Sequence, residues 1–203
     1  FTSESVSEGH PDKVADQISD AVLDAYLKQE TESKVACEVL VTTGLVVLGG
    51  EIKTNGNVDA QQVAREVIKR IGYNRSEYMF DADSCGILSA IHEQSADIRR
   101  GVDRGSEDNQ GAGDQGMMFG FAVNETENYM PREYELARDL CKKVFEKYPF
   151  DGKTQVTLDG ERVKCVVVSF QNSRNVDLLP FVQSIIKANE YLLNPTGEWT
   201  QGG

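Results

Sequence analysis

The chain has 203 residues, of which 39% are apolar and 27% charged, and its formal net charge is −12. A chain of this length can bury roughly 70% of its unfolded surface, so it needs no disulfide staples, and its composition is not that of a disordered segment. The acidic balance excludes non-specific binding to nucleic acid or to an anionic membrane, while leaving room for a small anion held by local basic groups and metal.

The first element is a helix over HPDKVADQISDAVLDAYLKQ. Val14, Ile18, Val22 and Ala25 recur at helical spacing, and Pro11 suits a first helical position. The preceding SVSEG delivers His10 and Asp12 to a helix N-terminus, where backbone donors favour anions. KVACEVLV and LVVLGGEIKT form a hairpin around TTG, with Val35, Cys37, Val39 and Val41 on one face and Ala36, Glu38 and Leu40 on the other. Glu51 falls near the end of the second strand. NVDAQQVAREVIKRIGY is a second helix, and a third strand follows around SCGILSAIHEQ.

From 95 to 116 the chain is polar, Gly-rich and without period, which predicts a long loop of the kind that often carries function. MMFGFAV reads as a strand and EYELARDLCKKVFEKY as a helix with Leu136, Leu140, Val144 and Tyr148 in register. KTQVTL and VKCVVVSF flank the turn dipeptide Asp159-Gly160 and predict a second hairpin. VDLLPFVQSIIKANEYL reads as a final helix, with Pro180 near its start. Strand pairs alternating with helices predict an α+β fold with mainly antiparallel sheets. No repeat is visible by eye. The four cysteines lie in apolar stretches without CxxC spacing, which predicts reduced core thiols in a cytoplasmic protein and no zinc site. No apolar run approaches the length of a membrane span, and no signal peptide is read.

GHPDK places a titratable His, an Asp and a Lys at a helix start. Two readings stay open: a capped, solvated helix end, or an anion site with Asp12 on a divalent cation and His10 near a leaving group. Glu38 and Glu51 read first as solvent-facing strand carboxylates. GAGDQG offers backbone donors around Asp114 but is neither a phosphate-binding P-loop nor a dinucleotide fingerprint. DGKTQ reads alone as a turn before a strand.

Taken together, FTSESVSEGHPDKVADQISDAVLDAYL, KVACEVLVTTGLVVLGGEI, DADSCGILSAIHEQSADI, GVDR, QGAGDQGMMFG, NET, DGKTQVT and NPTG resemble the S-adenosylmethionine synthetase (methionine adenosyltransferase) family, in that family's order. The resemblance implies interleaved, structurally similar α+β domains with mainly antiparallel sheets covered by helices. It places a central-type domain at 10–97, a mobile active-site loop at 98–116 and an amino-terminal-type domain at 117–203 with 1–9. The carboxyl-terminal domain, with its further phosphate-binding Lys and Arg, is expected to be absent. The implied reaction joins ATP and L-methionine and then hydrolyses the displaced triphosphate, with Mg2+ and K+ as cofactors.

Position by position, His10, Lys153 and Asp114 resemble catalytic residues. His10, Asp151, Gly152, Lys153, Glu198 and Trp199 stand at ATP-binding positions, and Glu51 and Gln94 at methionine-binding ones. Asp12 resembles the magnesium ligand and Glu38 the potassium-site glutamate. Glu198 occupies a place where the family has Arg, and its carboxylate would repel a triphosphate, whereas Trp199 replaces a Phe that it can match by stacking. Two accounts follow: one chain of an oligomeric enzyme whose site a partner or second copy completes, or a non-catalytic nucleotide-binding or regulatory subunit of a true synthetase.

Overall fold

The computed structural model describes residues 1–93, 105–112 and 116–202. Its elements run β1 (Thr2–Val6), α1 (Pro11–Gln29), β2 (Lys34–Thr42), β3 (Leu45–Lys53), α2 (Ala60–Ile71), β4 (Gly86–His92), α3 (Arg132–Lys147), β5 (Gly152–Asp159), β6 (Arg162–Phe170), α4 (Asn175–Ile185) and β7 (Glu190–Leu193). Two short 3-10 turns, Ser76–Tyr78 and Glu107–Asn109, complete them.

Local chemistry sets the boundaries. α1 buries Val14, Ile18, Val22 and Tyr26, one per turn. The Asp59 carboxylate accepts from the Gln62 amide to start α2, and Gly72 ends it at φ 116°, a left-handed conformation that costs glycine least. Both hairpins turn through a glycine of positive φ, Gly44 at 70° and Gly160 at 58°.

The order α1-β2-β3-α2-β4 returns as α3-β5-β6-α4-β7, so the chain is a structural duplication that no repeated string announces. In each unit the hairpin is antiparallel, and the helix after it crosses over to a last strand parallel to the hairpin's second. Each sheet is therefore mixed, with antiparallel pairs still in the majority as expected: β1-β5, β5-β6 and β2-β3 against the parallel β6-β7 and β3-β4. The three-stranded sheet has order β2-β3-β4 and the four-stranded one β1-β5-β6-β7. β1 precedes the first unit but pairs antiparallel with β5 of the second, from Thr2 opposite Thr157 to Val6 opposite Lys153. Each unit has its own apolar core, and Phe145 of α3 packs against both.

Two sequence expectations fail. The last helix stops at Ile185, and EYL forms β7, because pairing with Cys165–Val168 satisfies backbone groups that a longer helix would not bring to the sheet. MMFGFAV has no strand assignment: Met117, Met118, Phe119 and Phe121 are exposed, and no described segment pairs with them. An apolar alternation forms a strand only where a neighbour supplies the ladder. Among the described residues no helix is long and apolar enough to cross a membrane.

Candidate active site

The site begins where α1 starts. His10 is the N-cap, and its Nδ1 accepts from the Asp12 amide at 3.2 Å. With Nδ1 so occupied, the neutral ring carries its proton on Nε2 and presents it as a donor. The imidazole is 13% exposed and the Asp12 carboxylate 89%, 3.8 Å from Nδ1. A half-sequestered donor thus sits beside a solvent-facing acid at the positive end of a helix.

The strand start of β5 is locked to this helix start by backbone. The Ser7 amide donates to the Gly152 carbonyl at 2.8 Å, and the Ser7 hydroxyl to the Phe150 carbonyl at 2.8 Å. Gly9 lies directly against Phe150, and the buried Tyr73 hydroxyl donates to the Gly9 carbonyl at 2.6 Å. Burial, reinforced by the nearby Asp151 carboxylate, pushes the Tyr73 hydroxyl well above its ordinary pKa of 10, so it stays a donor at any physiological pH. Tyr73, Tyr78, Phe80 and Phe150 form edge-to-face contacts under the loop, with centroids 5.3 to 6.3 Å apart.

Asp151 is buried, and its backbone is held by Gln171: the Gln171 amide donates to the Asp151 carbonyl at 2.9 Å. Gly152 packs its Cα against the Phe170 ring. Lys153 is exposed, opposite Val6 on one side and Ser169 on the other. The Trp199 indole donates to the Ser169 hydroxyl at 3.1 Å, so the closing segment folds back across the same sheet end. Glu198 serves a helix instead. Its carboxylate accepts from the Asn175 amide at 2.8 Å and caps α4, whose N-cap Arg174 makes no side-chain capping bond and instead donates its guanidinium to Asp177.

The structure therefore brings His10, Asp12, Asp151, Gly152, Lys153 and Trp199 around one junction. It does not bring Glu38 and Glu51 there. These two are diagonal neighbours on the face of the three-stranded sheet turned away from α1, with Glu51 opposite His92. The hairpin end near Gly9 and Pro11 is the Thr43 end, and by strand rise Glu51 lies about 20 Å further along. Gln94 and Asp114, and most of the expected loop at 98–116, lie outside the described residues.

Two supports were missed in the sequence. Tyr73 reads as the last position of an amphipathic helix, and Gln171 as an ordinary residue after a strand. Only the run of aromatics from 73 to 80 hints that a polar loop needs a buried base.

Among the described residues, no three His, Cys, Asp or Glu side chains cluster as a metal site. Asp12 fits the protein's share of a magnesium site, because that ion is commonly held by one or two carboxylates and completed by substrate phosphates. Glu38 does not fit a potassium cage on its own: it is exposed, with Gly49 opposite.

Fold and site together define a duplicated α+β protein with a His–Asp helix start docked on an Asp-Gly-Lys strand start. The chain belongs to the S-adenosylmethionine synthetase family: residues 1–96 match that family's N-terminal domain and 109–199 its central domain. Those names run opposite to the central-type and amino-terminal-type labels given above. S-adenosylmethionine synthase of Flavobacterium psychrophilum is 51% identical over 242 aligned residues, covering 100% of this chain and 58% of its own length. The protein of that name in Phocaeicola vulgatus is 60% identical over 191 residues, covering 87% and 44%, and that of Bacteroides fragilis 56% over 212, covering 95% and 49%. The chain thus spans about half the length of these curated relatives.

Proposed function

We propose that the chain makes S-adenosylmethionine from ATP and L-methionine, with hydrolysis of the displaced triphosphate, as one chain of an assembly in which a second copy or a partner chain completes the site. The observation that carries this reading is the backbone lock between the two motifs, Ser7 to Gly152 and Gly9 against Phe150, which sets His10 and Lys153 at one junction.

The methionine sulfur attacks C5′ of the nucleotide, the S–C5′ bond forms as the C5′–O bond breaks, and the electron pair leaves with the triphosphate. A neutral sulfur nucleophile needs no base. The barrier is lowered by alignment and by cationic groups at the departing oxygens. Lys153 supplies one positive charge and His10 Nε2–H one donor, while Trp199 offers a face on which adenine can stack. Magnesium, when bound, supplies charge neutralisation on the phosphates, with Asp12 as its protein ligand. Asp114 and Gln94 keep the catalytic and methionine-binding roles that the resemblance gives them, and Glu51 the other methionine position. Potassium at Glu38 would need oxygens from another chain.

The remoteness of Glu38 and Glu51 from His10 supports completion by another copy, because among the described residues their sheet face is left exposed at Ala36, Glu38 and Leu40. The division into bodies 10–97 and 117–203 with 1–9 belongs to the same reading, and four free thiols suit a cytoplasmic setting. A non-catalytic regulatory subunit is the second reading. It is favoured by the commitment of Glu198 to a helix cap where the family resemblance places a phosphate-binding Arg.

The test is S-adenosylmethionine formation by the purified chain, alone and with any polypeptide that co-purifies. His10→Asn and Lys153→Gln are expected to abolish most turnover in the assembly. Binding of both substrates without product, and kinetics indifferent to His10→Asn, would establish the regulatory reading instead.

A further inference from the structure

A second cleft lies on the other side of β1. It opens where β1 meets the start of α1, the end of α2 and α3, and its volume is about 400 Å³, within the range of small-molecule sites. Four cations line it: Lys13 from α1, Arg70 from α2, and Arg138 and Lys142 from α3. Glu8 is the one carboxylate among its lining residues.

This convergence occurs in a chain whose formal charge is −12. Lys13 is partly neutralised by Asp16 at 2.8 Å, and Arg138 touches Asp139 at 3.9 Å. Arg70 and Lys142 make no ion pair or hydrogen bond among the described residues. Two uncommitted cations and two shared ones around a concave surface focus positive potential, whereas scattered surface lysines do not.

The cleft is separate from the Lys153 junction. Lys153 is directly opposite Val6, which lines the cleft, but Lys153 itself is not among the lining residues. Ser5 and Ser7 alternate with Val6, facing α3 and the cleft, where the buried Cys141 thiol donates to the Ser5 carbonyl at 3.7 Å. A group bound there meets the helices and not the strand start of β5.

We propose that this cleft binds a small multivalent anion of the polyphosphate class. The guanidinium forks of Arg70 and Arg138 match pairs of phosphate oxygens, Lys13 and Lys142 add point charges, and the Tyr134 hydroxyl lines the same wall. The assignment is independent of the chemistry at His10.

Calorimetric titration of the whole chain with sodium pyrophosphate at low salt tests it. The expected result is saturable binding that weakens roughly tenfold or more in Arg70→Gln/Lys142→Gln and survives Lys153→Gln. Both replaced side chains are exposed, so the double variant should melt with the parent. Independently of any variant, pyrophosphate should protect Lys13 and Lys142 of the unmodified protein from acylation while leaving Lys28 and Lys164 reactive, as read by mass spectrometry. Absence of binding, equal affinity in parent and double variant, loss of binding only in Lys153→Gln, or no protection at Lys142 would each overturn the proposal.

Discussion

A Cβ on Gly9 would stand 2.7 Å from the carbonyl carbon of Phe150 and 2.8 Å from its oxygen, so the helix start and the approach to β5 touch backbone to backbone. No side chain fits between them. Gly9→Ala must push the two apart, with an expected loss of about 1–3 kcal/mol, the usual range for overpacking. The displacement also separates His10 from Lys153. In urea titrations and turnover assays run where the variant is fully folded, activity should fall further than stability does.

Tyr73→Phe removes the side-chain donor to the Gly9 carbonyl. A buried acceptor left without its partner costs about 1–3 kcal/mol, and the isosteric ring keeps the aromatic packing. A shifted denaturation midpoint with unchanged slope is the expected signature.

A Cβ on Gly152 would lie 2.5 Å from the Phe170 ring. Gly152→Ala should therefore destabilise strongly, and a smaller side chain at 170 should relieve part of the clash. The double variant Gly152→Ala/Phe170→Leu is expected to lose less than the sum of the two single losses, which a four-way melting comparison reads directly.

Glu198→Ala deletes the cap on the Asn175 amide, with an expected cost of about 1 kcal/mol. Faster hydrogen exchange confined to the first turn of α4 distinguishes this loss from a general one. Glu198→Arg should cost more, since it also sets a cation against the positive helix end.

The Cys141 thiol is 2% exposed, and burial pushes its pKa from the ordinary 9.0 up to about 11. Between these values the unfolded chain has released the proton that the folded chain keeps, so stability falls as pH rises through this window. It is fully present below pH 9. The total is about 2–3 kcal/mol from the shift alone. Cys141→Ala should flatten this alkaline limb of a stability-against-pH curve, though it lowers the plateau by leaving a small void.

Periodicity located the helices because each buries one residue per turn, as Leu140 and Val144 do in α3. The hairpins were equally legible at Gly44 and Gly160, where the turn itself demands glycine. What escaped is whatever depends on a distant partner. β7 is a strand only because Val166 offers it a ladder, and Met117 to Phe121 is not one because nothing described does. The duplication escaped for the same reason, since matching folds need only matching patterns of burial. At the site, GHPDK and DGK were visible as strings. Their meeting through Ser7 and Gly9 was not, because backbone contacts leave little trace in side-chain identity.

The exchange of the leading strand bears on how the molecule is born. Thr2 finds Thr157 only after the ribosome has added the intervening chain, which at about 5–20 residues per second takes on the order of ten seconds. Throughout that interval β1 is an unmated edge, and the second unit cannot complete its sheet from its own residues. The two halves are therefore expected to be poor soloists: neither should survive separate expression, yet mixing them could restore a whole, as in split-reporter complementation.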